Sequence, residues 1–139
     1  MLDRWLARLS WLAPVPLRIT IGVVFMMHGS QLLFGAFGGR GIEGAIGIAQ
    51  ATGFAPGWLW GWALACTQFF GGTLLVLGLF TRYAALALCI PMLVAIFKVH
   101  LKNGFFLPGG FEFALTVLAG LVSLVLSGPG GMTLHTGKK

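Results

Sequence analysis

The stretch VPLRITIGVVFMMHGSQLLFGAF at residues 15–37 decides the fold class of this 139-residue chain. It opens with Pro14 and Pro16, which suit the first turn of a helix, and it closes at a cluster of glycines. At about 1.5 Å per residue, a helix of this length crosses the ~30 Å hydrocarbon core of a bilayer. The run is too long for a cleaved signal peptide and it carries His28 and Gln31, so it predicts a transmembrane helix.

Three further apolar runs predict additional spans at about 58–80, 82–100 and 111–127. In the third of the four spans, Pro91 removes a backbone hydrogen bond and predicts a kink. The chain is 58% hydrophobic and only 9% charged, which is typical of a protein whose solvent is lipid. We therefore predict an all-α integral membrane protein that folds as one antiparallel four-helix bundle, a single domain over residues 1–139.

Two shorter segments have helical periodicity without the length to cross a bilayer. Residues 1–13 place leucines and Trp5 on one side and Arg4 and Arg8 on another, which predicts a short amphipathic helix on the membrane surface. The glycine-rich stretch 41–54 also has apolar residues at helical spacing. It predicts an interfacial or re-entrant helix between the first two spans.

The distribution of basic residues predicts orientation rather than nucleic-acid binding. The formal net charge is +6, but the basic residues are scattered between apolar runs, as expected of headgroup anchors. The positive-inside rule then predicts a bacterial-type inner membrane protein with both termini in the cytoplasm. Arg18 and Arg82 are interpreted as structural anchors whose long side chains reach the headgroup layer. The cytoplasmic side carries Arg4, Arg8, Arg18, Arg82, Lys138 and Lys139, and the other side carries Arg40, Lys98 and Lys102.

Four polar residues fall inside or at the ends of different spans at overlapping depth. They are His28, Gln68, His100 and Glu112, and we predict that they line a polar pocket within the bundle. Each also has a simpler interpretation: His28 and Gln68 could hydrogen-bond a neighbouring helix, and His100 and Glu112 could form an interfacial pair. A second tier of candidates contains Gln31, Asn103 and Lys98.

The chemistry of this pocket is narrowed by the motifs that the sequence lacks. There is no hydrolase or phosphate-binding motif and no haem, flavin or metal motif, and Cys66 and Cys89 lie apart in different spans. A histidine with a carboxylate could bind a quinone headgroup, the imidazole donating to a carbonyl while the acid relays a proton. The same pair could instead hold a first-row metal ion.

Several segments in order resemble the DoxX family of small four-helix membrane proteins. They are LRITIGVVFMMHGSQLLFG at 17–35, GIEGAIGIAQATGFAP at 41–56, GGTLLVLGLFTR at 71–82, VHLKNGFFLPGGFEFAL at 99–115 and SGPGG at 127–131. The resemblance implies an inner-membrane protein, some of whose relatives are subunits of quinone-reducing sulfur oxidation systems or partners of redox-stress enzymes. Family members commonly carry an acidic residue where Gln68 stands and often an aspartate near His135, so this chain departs from the pattern at both positions.

Three functional hypotheses remain open at this point. The first is a quinone-linked redox subunit or accessory that uses the polar pocket. The second is a non-catalytic assembly or interaction partner, or a homo-oligomer, that uses the small-residue face of Gly57, Gly61 and Ala65 on the second span. The third is a small-solute transporter, which is less attractive because no inverted repeat is detectable.

Overall fold

The computed structural model describes residues 2–134. Helices account for 78% of these residues, and none of them lies in a strand. This confirms the all-α prediction. Lys138, Lys139 and His135, which entered the sequence predictions, lie outside the described residues. The main helices are α1 (Leu2–Ala7), α2 (Pro14–Phe34), α3 (Gly41–Ala51), α4 (Gly57–Leu77), α5 (Thr81–Val94) and α6 (Glu112–Ser127).

Three stretches are long and apolar enough to cross a membrane. They are Ser10–Phe34, Gly57–Leu77 and Thr81–Asn103, and they match the first three predicted spans. The fourth apolar helix, α6, has only 16 residues and falls short of that length. The described residues therefore provide three candidate membrane-spanning helices and one shorter apolar helix.

Glycines in the left-handed region end two of the spans earlier than predicted. Gly35 follows α2 with φ of 66°, and Gly78 follows α4 with φ of 72°. A residue with a Cβ is strained at such angles, so glycine is the usual residue at this helix-ending position. The two helices consequently end at Phe34 and Leu77 rather than near the predicted limits of 37 and 80.

Helices α2 and α4 form the closest pair because glycines remove the side chains between them. A Cβ added to Gly29 would collide with the backbone of Phe69, and one added to Gly72 would lie 2.5 Å from the backbone nitrogen of Met26. Gly22, earlier on α2, faces Val76, later on α4. Rising residue numbers on one helix therefore meet falling numbers on the other, and the two helices run antiparallel.

The remaining long helices complete a core at the end of the molecule where α4 leads into α5. Gly71 of α4 faces Leu88 of α5, and Gly120 of α6 faces Ile21 of α2. Helix α6 packs mainly on α5 and to a lesser extent on α2. Cys89 is one of the buried core residues, whereas Cys66 is only partly buried. The core includes the fully buried Leu75, Ala85, Leu88, Leu121 and Leu124.

Helix α3 packs along the first half of α4 and covers its small-residue face. A Cβ added to Gly61 would lie 2.7 Å from the backbone nitrogen of Ile46, and one added to Gly57 would lie 2.5 Å from Cγ of Gln50. Ala65, the third residue of this face, is fully buried. The face therefore contacts a helix of the same chain, whereas the sequence predicted it as a surface for a partner protein or a second copy, and it is not left open for one.

Candidate functional site

Helix α5 becomes irregular in its second half. Pro91 lies within the helix, and after Val94 the backbone continues as a π-helix (Ala95–His100) and a 3₁₀ turn (Leu101–Asn103). Because proline has no amide hydrogen, Pro91 cannot donate to the carbonyl of Ala87, four residues earlier. Single π-helical turns inside longer helices are frequent at functional sites. This half of α5 was predicted to kink, and the π-helix adds a second irregularity that the sequence did not indicate.

A cavity of about 500 Å³ lies beside this irregular segment. Residues of α2, α3, α4, α5 and the π-helix line it, together with Thr52 and Phe54 from the connection between α3 and α4. Phe54 and Trp60 place their ring centroids 5.4 Å apart in its wall. The lining contains no Asp, Glu, Lys or Arg, and His28 is its one titratable side chain. Its polar side chains are His28, Gln31, Thr52, Thr67 and Gln68.

The helix contacts place His28 and Gln68 at one height. Gly29 meets Phe69 across the α2–α4 interface, so their neighbours His28 and Gln68 lie at similar heights along the bundle. At about 1.5 Å per residue, Gln68 lies ~16 Å from the start of α4, close to the middle of that helix. Gln68 therefore lies deep relative to the ends of α4.

Gln68 is the most unusual of these residues because no group in the described part of the chain satisfies its amide oxygen. Its Oε1 atom is buried and, within residues 2–134, has no hydrogen-bond partner. A buried polar atom without a partner costs about 1–3 kcal/mol, so such atoms are rare in folded proteins. A bound molecule that donates to this oxygen would remove the cost.

The structure separates the predicted site residues into two groups. His28, Gln31 and Gln68 line the cavity, whereas His100, Asn103, Glu112 and Lys98 are not among its lining residues. Nδ1 of His100 lies 3.0 Å from the carbonyl oxygen of Gly109, and the Asn103 amide donates to the same oxygen at 3.2 Å. Oε1 of Glu112 accepts from the Leu107 amide at 2.8 Å.

The second group therefore stabilises the connection between α5 and α6. A connection of this kind has backbone groups that no helix satisfies, and the three side chains pair with two of them. Lys98 is exposed on the π-helix. The structure brings the predicted residues of α2 and α4 to one cavity. Helix α5 lines this cavity with Pro91 and apolar residues rather than His100, and no residue of α6 lines it.

The two arginines assigned as anchors also act through backbone carbonyls. Arg18 is 1% exposed, so it does not reach into the headgroup layer as predicted. Its guanidinium donates to Pro129, Gly131 and Met132 in the segment after α6. Arg82 is exposed and donates to the carbonyls of Val125 and Leu126, which lie in the last turn of α6. Arg82 thereby satisfies carbonyls that have no helical partner at the end of α6, and Arg18 fixes the segment that follows this helix.

Sequence reasoning missed Trp60 and Thr67 as lining residues. Together with Gln68 they follow helical spacing along one face of α4, so the face could have been traced once Gln68 was chosen. Among the described residues, no three His, Cys, Asp or Glu side chains group closely enough to hold a metal ion. The structure thus provides no ligand set for the metal-binding alternative.

Apolar helices of membrane-spanning length and a deep, mostly apolar cavity define this chain as a helical membrane protein with a small-molecule-sized site. Comparison with known families matches residues 13–101 to DoxX, and the chain belongs to the DoxX family. The resemblance seen in the sequence is thereby confirmed.

Three curated relatives extend the match over most of the chain. It is 36% identical over 132 residues to "Uncharacterized membrane protein Rv3486" of Mycobacterium tuberculosis, covering 85% of this chain and 76% of the relative. It is 30% identical over 112 residues to "Putative oxidoreductase CatD" of Bacillus subtilis, covering 81% and 76%. It is 32% identical over 123 residues to an "Uncharacterized protein" of Haemophilus influenzae, covering 85% and 84%. No solved structure matches the chain.

Proposed function

We propose that this DoxX-family protein binds a quinone in the cavity and acts as a redox subunit or accessory of a respiratory, sulfur-oxidation or redox-stress system. The observation that carries the proposal is the buried, unpaired amide oxygen of Gln68 in a cavity whose lining has no charged residue. Such a lining favours a neutral, largely apolar ligand with a few hydrogen-bonding groups. A quinone and its quinol have these properties, with a flat ring and an apolar tail. The amide nitrogen of Gln68 can donate to a quinone carbonyl, and its unpaired oxygen can accept only from the hydroxyl of the quinol.

His28 and Gln68 are the residues proposed to hold the quinone ring. Both line the cavity from facing helices at similar height, and both side chains can donate a hydrogen bond to a carbonyl oxygen. Gln31 and Thr67 add further polar groups to the lining. Phe54 and Trp60 give aromatic surface elsewhere in the wall, which suits the apolar part of the ligand.

The redox assignment draws additional support from one relative. The Bacillus subtilis protein is named "Putative oxidoreductase CatD", and it matches 81% of this chain. The sequence itself has no motif for a bound flavin, haem or metal. Electrons for the quinone would then come from a partner protein in or at the membrane, which is why we propose a subunit or accessory rather than a self-contained enzyme.

The proposed membrane arrangement is an antiparallel four-helix bundle in a bacterial inner membrane. With 16 residues, α6 has a length of about 24 Å, and it packs along α5, so it lies beside a membrane-spanning helix. Phe111 and Phe113 extend apolar character to its start. Both termini are placed in the cytoplasm because six Lys and Arg residues lie on that side against three on the other.

A ligand titration tests the binding proposal with a matched histidine control. The purified protein in quinone-free nanodiscs is titrated with a short-tailed quinone, and tryptophan fluorescence reports binding. His28→Ala should weaken binding by about 3–10-fold, as expected for one lost hydrogen bond. His100→Ala removes the same side chain outside the cavity and should leave the affinity unchanged. Equal affinities for wild type and His28→Ala would refute the assignment of the cavity.

A further inference from the structure

Pro91 removes the regular helical donor of a backbone acceptor beside the cavity. Ala87 and Pro91 both line the cavity on α5. The carbonyl of Ala87 would accept from residue 91 in a regular helix, but proline has no hydrogen to donate. None of the side-chain hydrogen bonds found within residues 2–134 ends on this carbonyl. Because Pro91 has no amide hydrogen, the Ala87 carbonyl lacks its regular helical donor and can accept from a ligand.

This acceptor lies at the height of the Gln68 amide on the facing helix. Gly71 of α4 meets Leu88 of α5, and the two helices run antiparallel through the short turn that joins them. Gln68 lies three residues before Gly71 on α4, and Pro91 lies three residues after Leu88 on α5. Because the two helices are antiparallel, Gln68 and Pro91 lie at the same height. Both residues line the same cavity, so a ring-sized molecule between α4 and α5 would meet both walls.

The two groups differ in what they can recognise. A primary amide offers a donor on one side and an acceptor on the other, and no protein hydrogen bond fixes the oxygen of Gln68. The amide can therefore pair with a carbonyl or with a hydroxyl. A backbone carbonyl only accepts, so Ala87 can pair with a hydroxyl and not with a quinone oxygen.

We infer that Pro91 is a specificity-determining residue that makes the cavity favour the reduced, hydroxyl-bearing quinol over the oxidised quinone. The inference rests on the proposed quinone-binding function and adds the redox form of the ligand to it. The quinol hydroxyl donates to the Ala87 carbonyl, while Gln68 holds the other face of the site.

Binding of the two redox forms is compared in the same nanodiscs under anaerobic conditions. A short-tailed benzoquinone and its chemically reduced quinol are titrated separately. One additional hydrogen bond predicts an affinity about 2–12-fold higher for the quinol. Pro91→Ala restores the amide hydrogen and should bring the quinol affinity down to that of the quinone, whose own affinity stays the same. Pro16→Ala, at the exposed start of α2 and outside the cavity, should keep the wild-type ratio.

A second measurement uses the wild-type protein alone and does not depend on how the variant folds. The dimethyl ether of the quinol keeps the ring and tail but has no hydroxyl to donate, so it should bind no more tightly than the quinone. An ether that binds as tightly as the quinol overturns the inference, as does a quinol preference that survives in Pro91→Ala. Failure of both redox forms to bind would instead overturn the proposed function itself.

Discussion

Replacing Arg18 by methionine tests whether one buried side chain fixes the end of the molecule opposite the cavity. Arg18 is 1% exposed, and its Nη1 donates to the Pro129 carbonyl at 2.7 Å and to the Gly131 carbonyl at 3.3 Å. Its Nη2 donates to the Met132 carbonyl at 2.9 Å. Methionine fills a similar volume and removes all three bonds, so the substitution isolates the guanidinium.

The expected loss follows from the number and quality of these bonds. Hydrogen bonds from a charged donor contribute about 1.5–3 kcal/mol each, and the two short ones dominate here. Part of this is offset because methionine avoids the desolvation of a buried cation, which also lacks a partner at Nε. We therefore expect Arg18→Met to lower the free energy of unfolding by about 2–4 kcal/mol.

The loss should also have a local signature. The segment that Arg18 holds is tied to its surroundings by the Gly131 amide, which donates to Trp11, and by the Leu134 amide, which donates to Leu77. Hydrogen exchange at these two amides should accelerate in Arg18→Met before the core exchanges faster.

Denaturation in detergent micelles gives the free energy, with Arg8→Met as the control because Arg8 is exposed. Arg18→Lys separates charge from geometry, since a single ammonium group cannot reproduce the guanidinium fork and should recover only part of the stability. A methionine variant as stable as wild type, with unchanged exchange at Gly131, would refute the argument.

Two further substitutions test other contacts of the fold. Gly29→Ala should destabilise the protein by about 1–3 kcal/mol because the new methyl group meets the backbone of Phe69. The control is Gly47→Ala, where nothing lies within 4 Å of the new methyl group, and it should be neutral or stabilising. Unfolding in detergent compares the two variants, and equal stabilities would contradict the close packing. Glu112→Gln keeps an acceptor for the Leu107 amide but removes its charge, so exchange at that amide should rise severalfold; no change in hydrogen–deuterium exchange would count against the contact.

The helices of this fold could be predicted from hydropathy and from the glycines and prolines that mark helix ends. The run at 15–37 and the two that follow it correspond to stretches long enough to cross a membrane, because water-soluble folds seldom contain apolar runs of that length. The half-length helix at 41–54 could also be expected from its spacing. The packing of this helix on α4 could not be predicted, because small residues such as Gly57 and Gly61 indicate a close neighbour without identifying it.

The candidate site could be predicted only in part, for a physical reason. His28 and Gln68 sit within regular helices, so their positions follow from counting residues along an axis. His100 and Glu112 flank a connection whose path the sequence does not specify, and they bond to backbone groups of that connection. Arg18 is a similar case, because the carbonyls that bury it belong to residues more than 100 positions away.

The unpaired amide oxygen of Gln68 is expected to lower the stability of the protein and to favour ligand binding, and both effects can be measured. Leucine has a similar volume and no polar atoms, so Gln68→Leu removes the buried Oε1 that lacks a partner. The variant should gain about 1–2 kcal/mol in the free energy of unfolding, measured without ligand. It should also bind quinone less tightly, because the amide is the proposed contact. Natural sites often retain such locally unfavourable groups where a ligand uses them. If Gln68→Leu were less stable than wild type, the amide would have a structural role in the protein, and the cavity would lose its main argument.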